Sequence, residues 1–233
     1  MLHTEIVPLQ LEGINMRTRF FLALVGATCL SAPGVALAQE VSGDIAVVSS
    51  YIDDDGFDYS YGPAVQATVD ITLGDFTTGV WASKTLDGDD GDEFDFRLAY
   101  TRKLSEHTEL TGEVTYFVLK GDDIIKLEAS LAHETPIGTV DLTASRYTWK
   151  NNQDATRMQI GFSPKVVDNF DLRVYGTHES GFDLPNIVTA GISGEYRLSE
   201  KFSLTANLIV PVNHLEDGDP RGSQFSVGIL LKF

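Results

Sequence analysis

Cysteine is nearly missing. Cys29 is the single cysteine in 233 residues, and it lies near the N-terminus inside an apolar stretch. Once that stretch is removed, neither a disulfide nor a thiolate site can form. Basic residues are scarce as well, 17 Lys and Arg against 34 Asp and Glu, for a net charge of −17. A nucleic-acid partner, which needs a basic footprint, is thereby excluded. No apolar run reaches the ~20 residues that a membrane-spanning helix requires. Walker, Rossmann and zinc-ligand patterns are missing, so no cofactor or metal centre is expected. No internal repeat and no Pro-rich linker marks a second domain. What is plentiful is aromatic: 10% of the residues, too many for a disordered acidic chain. Mean hydropathy lies close to zero. That value fits a soluble protein, but it also fits a membrane barrel, where lumen residues dilute the lipid-facing ones.

The N-terminal segment reads as an export signal. Met16-Arg17-Thr18-Arg19 is a basic n-region, Phe20 to Leu30 an apolar h-region, and Ala36-Leu37-Ala38 before Gln39 an A-x-A cleavage site. Gly26-Ala27-Thr28 lacks the Leu of a lipoprotein box, which argues against lipidation of Cys29. Residues 1–15 fit no part of this pattern and are read as an annotation extension. The expected organisation is 1–15 extension, 16–38 signal peptide, and 39–233 one exported domain.

That domain alternates. Phe225, Val227, Ile229, Leu231 and Phe233 share one face of a strand, with Gln224, Ser226, Gly228 and Lys232 on the other and Leu230 the one apolar exception there. An apolar face running to the final residue needs an apolar surrounding there, whereas ends of soluble domains usually fray. The segment resembles the C-terminal signal by which Gram-negative outer-membrane barrels are handed to their assembly machinery. The edge strand of a soluble sandwich is the plainer alternative. From Asp44 onward about twelve strand-like segments follow, approximately 44–52, 60–73, 76–86, 93–103, 108–119, 123–135, 139–150, 155–163, 169–178, 186–198, 201–213 and 223–233. Most have the length of a tilted membrane strand, and soluble strands are about half as long.

Their connections alternate in kind. Gly74-Asp75, Ser105-Glu106-His107, Pro136-Ile137-Gly138, Val167-Asp168-Asn169 and Ser199-Glu200 are short. The others are mostly longer and acidic, and carry Asp53, Asp54, Asp55, Asp87, Asp89, Asp90, Asp92, Glu216, Asp217 and Asp219. The fold class expected is an all-β, antiparallel, transmembrane up-and-down β-barrel of about twelve strands. Its turns would be periplasmic and its acidic loops external. Along several segments Val, Leu and Phe oppose Thr, Ser, Gly and Asn with few charges, a composition that suits a hydrated lumen better than an open wet face. Aromatics near the segment ends suggest two interfacial girdles. One contains Phe76, Tyr100, Phe170, Tyr196, Phe202 and Phe233 near the short turns. The other contains Tyr51, Phe57, Tyr59, Tyr61, Phe94, Tyr116, Tyr147, Trp149 and Phe225 near the long loops. In 139–150, Tyr147 and Trp149 fall out of phase with Val140, Leu142 and Ala144, and a bulge near Arg146 would reconcile them.

Ser50-Tyr51, Pro63-Ala64-Val65-Gln66, Gly79-Val80-Trp81-Ala82-Ser83 and Glu93-Phe94-Asp95 resemble, in order and spacing, the TorF-type porin family of proteobacteria. The resemblance covers about residues 41–103. It departs where the family has an Arg-rich stretch after the first Tyr and this chain has Ile52-Asp53-Asp54-Asp55. It implies an outer-membrane barrel with a porin role, not a particular solute.

The registers point a set of charges inward: Asp70, Asp95, Arg97, Glu113, Lys126, Glu128, Asp141, Arg157, Asp171, Arg173, Glu195 and Arg197. They could pair into a network that props the wall, or ring a water-filled pore and select ions. The acid excess predicts a cation-leaning pore, and about twelve strands predict a narrow one. The functional expectation is a porin-like channel for passive diffusion of small solutes or ions, set among outer-membrane lipids and lipopolysaccharide. A closed structural or adhesive barrel is the alternative. A soluble periplasmic β protein and an outer-membrane lipid hydrolase come lower, the latter on His178 and Ser180 sharing a strand face. The acidic loops offer hard oxygens for calcium or for divalent bridging to lipopolysaccharide phosphates, without EF-hand spacing. Arg146 near the outer rim could contact such phosphates.

Overall fold

Period-two alternation puts successive side chains on opposite faces of a strand, and the alternating segments form the strands of the computed structural model. The described residues are 39–53, 57, 59–60, 62–87, 92–119, 123–150, 153–181, 186–213 and 222–233. The readings made on 1–38, Tyr61, Asp54, Asp55, Asp89, Asp90, Glu216, Asp217 and Asp219 lie outside them. The strands are β1 (Gln39–Val48), β2 (Ala64–Leu73), β3 (Phe76–Thr85), β4 (Glu93–Lys103), β5 (Thr108–Leu119) and β6 (Asp123–Thr135). They continue as β7 (Gly138–Trp149), β8 (Asp154–Pro164), β9 (Phe170–Gly181), β10 (Ile187–Arg197), β11 (Phe202–Pro211) and β12 (Gln224–Lys232). Each strand pairs antiparallel with the next in sequence, and β1 pairs with β12, closing the barrel. A closed sheet leaves no edge unpaired, the condition for a sheet to exist in hydrocarbon.

The closing seam is short. Its register runs from Asp44↔Lys232 to Val48↔Gly228, while β1 pairs with β2 along its full length from Gln39↔Leu73. Gly43 and Phe233 extend the seam by two reciprocal backbone hydrogen bonds of 3.0 Å each. At the other extreme of size, the two-residue turn Gly74-Asp75 joins Leu73 to Phe76, and Gly74 takes φ 62°, a region that favours glycine.

The molecule is apolar outside and polar inside. Ile160 and Phe225 are 59% and 60% exposed on the outer wall, while Arg157, Glu179 and Thr189 are buried inside. A soluble sandwich does the reverse, and an outer wall this apolar is stable only against another apolar phase. The girdle near the short turns is present: Phe76, Tyr100, Tyr196, Phe202 and Phe233 stand exposed on the outer wall, with Phe76 and Tyr100 in ring contact at 4.9 Å.

Several expectations are corrected. No bulge interrupts β7, whose register runs unbroken through Arg146 to β6 and to β8. Tyr147 and Trp149 are in phase because they face the lumen with Thr143 and Ser145 rather than lipid. The first strand is Gln39–Val48 rather than 44–52, since Tyr51 leaves the wall and folds inward. Tyr51 N–H donates to Ser60 Oγ at 2.7 Å and Tyr59 N–H to the Tyr51 carbonyl at 2.8 Å. The following strand accordingly starts at Ala64, after Pro63, rather than at residue 60.

Candidate functional site

The lumen is the candidate site, and its charges divide along the barrel axis. Toward the short-turn end four bases have an acid each. Arg97 grips Asp70 with both Nε and a terminal nitrogen. Arg173 bonds Asp141 at 2.7 Å and Gln159 at 2.7 Å. Arg197 pairs with Asp171, and Lys232 reaches Glu195 at 2.6 Å, where Ser203 Oγ also donates at 2.7 Å. Glycines opposite these pairs create the room. A Cβ at Gly161 would lie 2.5–2.8 Å from Asp141 and Arg173, and one at Gly79 would strike Asp70. Tyr175 lies flat over Gly191, with Arg173 over its ring at 4.9 Å. This end encloses about 1100 Å³.

Toward the long-loop end acids outnumber bases. Lys126 sits between Glu113 at 3.3 Å and Glu128 at 3.2 Å. Arg157 bonds Glu179 through Nε at 2.7 Å and holds Asp53 bidentately at 3.0 and 2.8 Å. Asp53 therefore leaves the acidic outer loop and enters the lumen, because a buried guanidinium offers it two parallel donors. Tyr51 follows: its hydroxyl donates to Glu93 Oε2 at 3.0 Å, and its ring meets Tyr59 at 5.3 Å and Trp81 at 5.2 Å. Burial, then the nearby Glu93 and Asp53 carboxyls, push the Tyr51 phenol well above its ordinary range, so it stays a donor. Above it is a cavity of about 440 Å³, lined by Tyr51, Phe57, Tyr59, Phe117, Tyr147 and Trp149. Tyr51 lines both cavities and stands between them.

Of the inward charges expected from sequence, all but Asp95 are in ion pairs: Asp70, Arg97, Glu113, Lys126, Glu128, Asp141, Arg157, Asp171, Arg173, Glu195 and Arg197. The reading missed Glu179, assigned to a loop; β9 extends to Gly181, and continuing its alternation through 175 and 177 would have found it. It also missed Tyr51, Phe57, Tyr59, Trp81, Tyr147 and Trp149 as lumen residues. Of the loop acids, Asp87 is exposed and Asp92 pairs with Lys84. Among the described residues no three His, Cys, Asp or Glu side chains come together as metal ligands. Arg146 faces outward and pairs with Asp154 at 2.5 Å. Ser180 Oγ shares a hydrogen bond with Thr156 at 3.0 Å, and His178 stands across from Met158 and Val188.

No family model and no curated protein matches the sequence. The barrel is similar to solved outer-membrane barrels. A KdgM porin matches with TM-score 0.61 at 10% identity, covering 82% of this chain and 99% of that one. A NanC porin matches with TM-score 0.62 at 9% identity, covering 82% and 98%. The COG4313 outer membrane channel of Pseudomonas putida F1 matches with TM-score 0.56 at 13% identity, covering 87% and 100%. At such identities the likeness is one of fold, that of outer-membrane channel barrels.

Proposed function

We propose that this chain is an outer-membrane channel of a Gram-negative bacterium through which small solutes diffuse passively, with a preference for cations. The observation that carries the reading is a closed wall, apolar outside, around a lumen lined with charge and hydroxyl groups and holding cavities of about 1100 and 440 Å³. The resemblance of residues 41–103 to TorF-type porins and the fold likeness to porins support the same reading. The short turns then face the periplasm, the acidic loops face outward against lipopolysaccharide, and the Phe225-to-Phe233 face serves recognition by the assembly machinery. One similar structure is a KdgM porin in complex with disordered oligogalacturonate. A polyanion suits this lumen poorly, since acids outnumber bases at its long-loop end.

Conductance of the refolded chain from Gln39 in a planar bilayer under a KCl gradient tests the reading. Discrete steps with a cation-favouring reversal potential are expected. Steps favouring anions would keep the pore and remove the charge argument. The inward-folded Tyr51–Asp53 segment favours a second reading, a barrel kept closed by its own first loop. A silent but heat-modifiable protein that starts to conduct as Asp53→Asn would establish it.

A further inference from the structure

The ion pairs of the long-loop half do not balance. Glu93, Asp95, Glu113, Glu128, Asp53 and Glu179 face Lys126 and Arg157. Glu93 and Asp95 are the two carboxyls without a basic partner among the described ion pairs, and they are only 8% and 9% exposed. They lie two residues apart on the same inward face of β4, in hydrogen-bond contact with each other. Two carboxyl groups that close either hold a proton between them or take a positive charge beside them. The surrounding polar atoms are also incomplete: Asp95 Oδ1 and Ser83 Oγ are buried with no hydrogen-bond partner, and Ser83 stands directly across from Glu93 in the β3–β4 register. Ionisable groups left without an opposite charge inside a membrane protein generally mark a solute path.

Glu93 also lines the aromatic cavity. Its volume of about 440 Å³ falls in the ~300–1,000 Å³ range of small-molecule sites. The walls already accept a cation, since the Arg157 guanidinium lies over the Tyr147 ring at 5.2 Å from its centroid. Phe117 and Trp149 flank Tyr147 at 6.3 and 6.0 Å and extend the same surface. A bare inorganic ion would use the carboxyls and waste the rings. A neutral sugar would use the rings and leave the carboxyls uncompensated. We propose that the long-loop half of the lumen binds an organic ammonium solute, the aromatic walls taking its apolar body and Glu93, with Asp95 behind it, taking its charge. This names the solute class of the channel proposed above and rests on that reading of the lumen as a solute path.

The two tryptophans of the chain, Trp81 and Trp149, both line the lumen cavities, so intrinsic fluorescence reports on them whether or not the barrel conducts. The chain from Gln39, refolded in detergent and shown to be heat-modifiable, is titrated with phenethylammonium, with its neutral isostere 2-phenylethanol, and with phenylacetate. Saturable change with the amine is expected, with the alcohol at least about tenfold weaker and the acid weaker still. Glu93→Gln and Asp95→Asn should each raise the amine half-saturation about tenfold. Equal half-saturation for amine and alcohol overturns the proposal. So does an identical response to KCl or CaCl₂ alone, which would make this a site for inorganic ions. Should a variant fail to fold, the three-probe comparison on the natural chain decides alone. Bilayer conductance separates the two readings: steps without amine binding remove the site and keep the channel, and binding without steps does the opposite.

Discussion

Arg157 is the residue on which the lumen turns. It is buried, holds Glu179 on the wall and Asp53 in the loop, and covers Tyr147. Removing one partner of a buried pair costs about 3–5 kcal/mol, because the remaining charge is stranded. Arg157→Met should therefore lower the urea midpoint of the refolded barrel clearly and raise its conductance. Asp53→Asn should free the loop with a much smaller stability cost, since Arg157 keeps Glu179; comparing the two variants separates latch from wall. The raised Tyr51 phenol gives this latch a pH dependence. The folded loop binds that proton more tightly than a released loop would, so the Tyr51–Glu93 bond contributes fully below about pH 10, the ordinary tyrosine value, and weakens above it. Conductance rising only at strongly alkaline pH, and losing that rise in Tyr51→Phe, is the expected outcome.

At the scale of strands, alternation was a reliable guide and aromatic character was not. Val65 to Leu73, Phe94 to Tyr100 and Leu110 to Val118 face outward as their period predicts, because a one-residue slip would put every charge in lipid. Arg173 and Asp141 were both read as inward, and local register is enough to bring them together. Asp53 could not be placed the same way. Its partner lies 104 residues away, and the path of the loop between β1 and β2 decides the contact. Tyr147 and Trp149 were misread because a ring is equally at home against lipid or lining a binding cavity. The glycines invite a direct test. Gly161→Ala intrudes on the Asp141–Arg173 pair and Gly191→Ala on Tyr175, and overpacking of this kind costs about 1–3 kcal/mol. Gly112→Ala meets nothing within 4 Å; it should be neutral or stabilise by roughly 0.4–1 kcal/mol through the unfolded chain. Heat-modifiability midpoints on gels would rank the three.

For the whole molecule, the question is how far the acid excess acts through the pore. Screening length is about 10 Å at 0.1 M salt and about 3 Å at 1 M. Cation preference measured from reversal potentials should thus be evident in dilute KCl and shrink in concentrated KCl, while the step itself persists. A preference unchanged by salt would point to a narrow filter in which ions touch the carboxyls directly. The fold itself was legible almost entire, since strand count, turn order and facing all follow from a period-two pattern repeated around a closed sheet. The inward placement of Tyr51 and Asp53 was not, because it depends on contacts far apart in sequence.

The uneven sharing of charge between the two ends has a further consequence. Near the short turns the ion pairs largely cancel the charge, while the opposite end carries the larger surplus of negative charge. A conduit charged at only one mouth gathers mobile cations when the field drives them in from that mouth and is depleted of them when the field reverses. The barrel would therefore act as a weak diode. Molecules inserted in a single orientation would pass unequal currents at equal and opposite voltages, and the asymmetry would fade as Glu93 and Asp95 are neutralised.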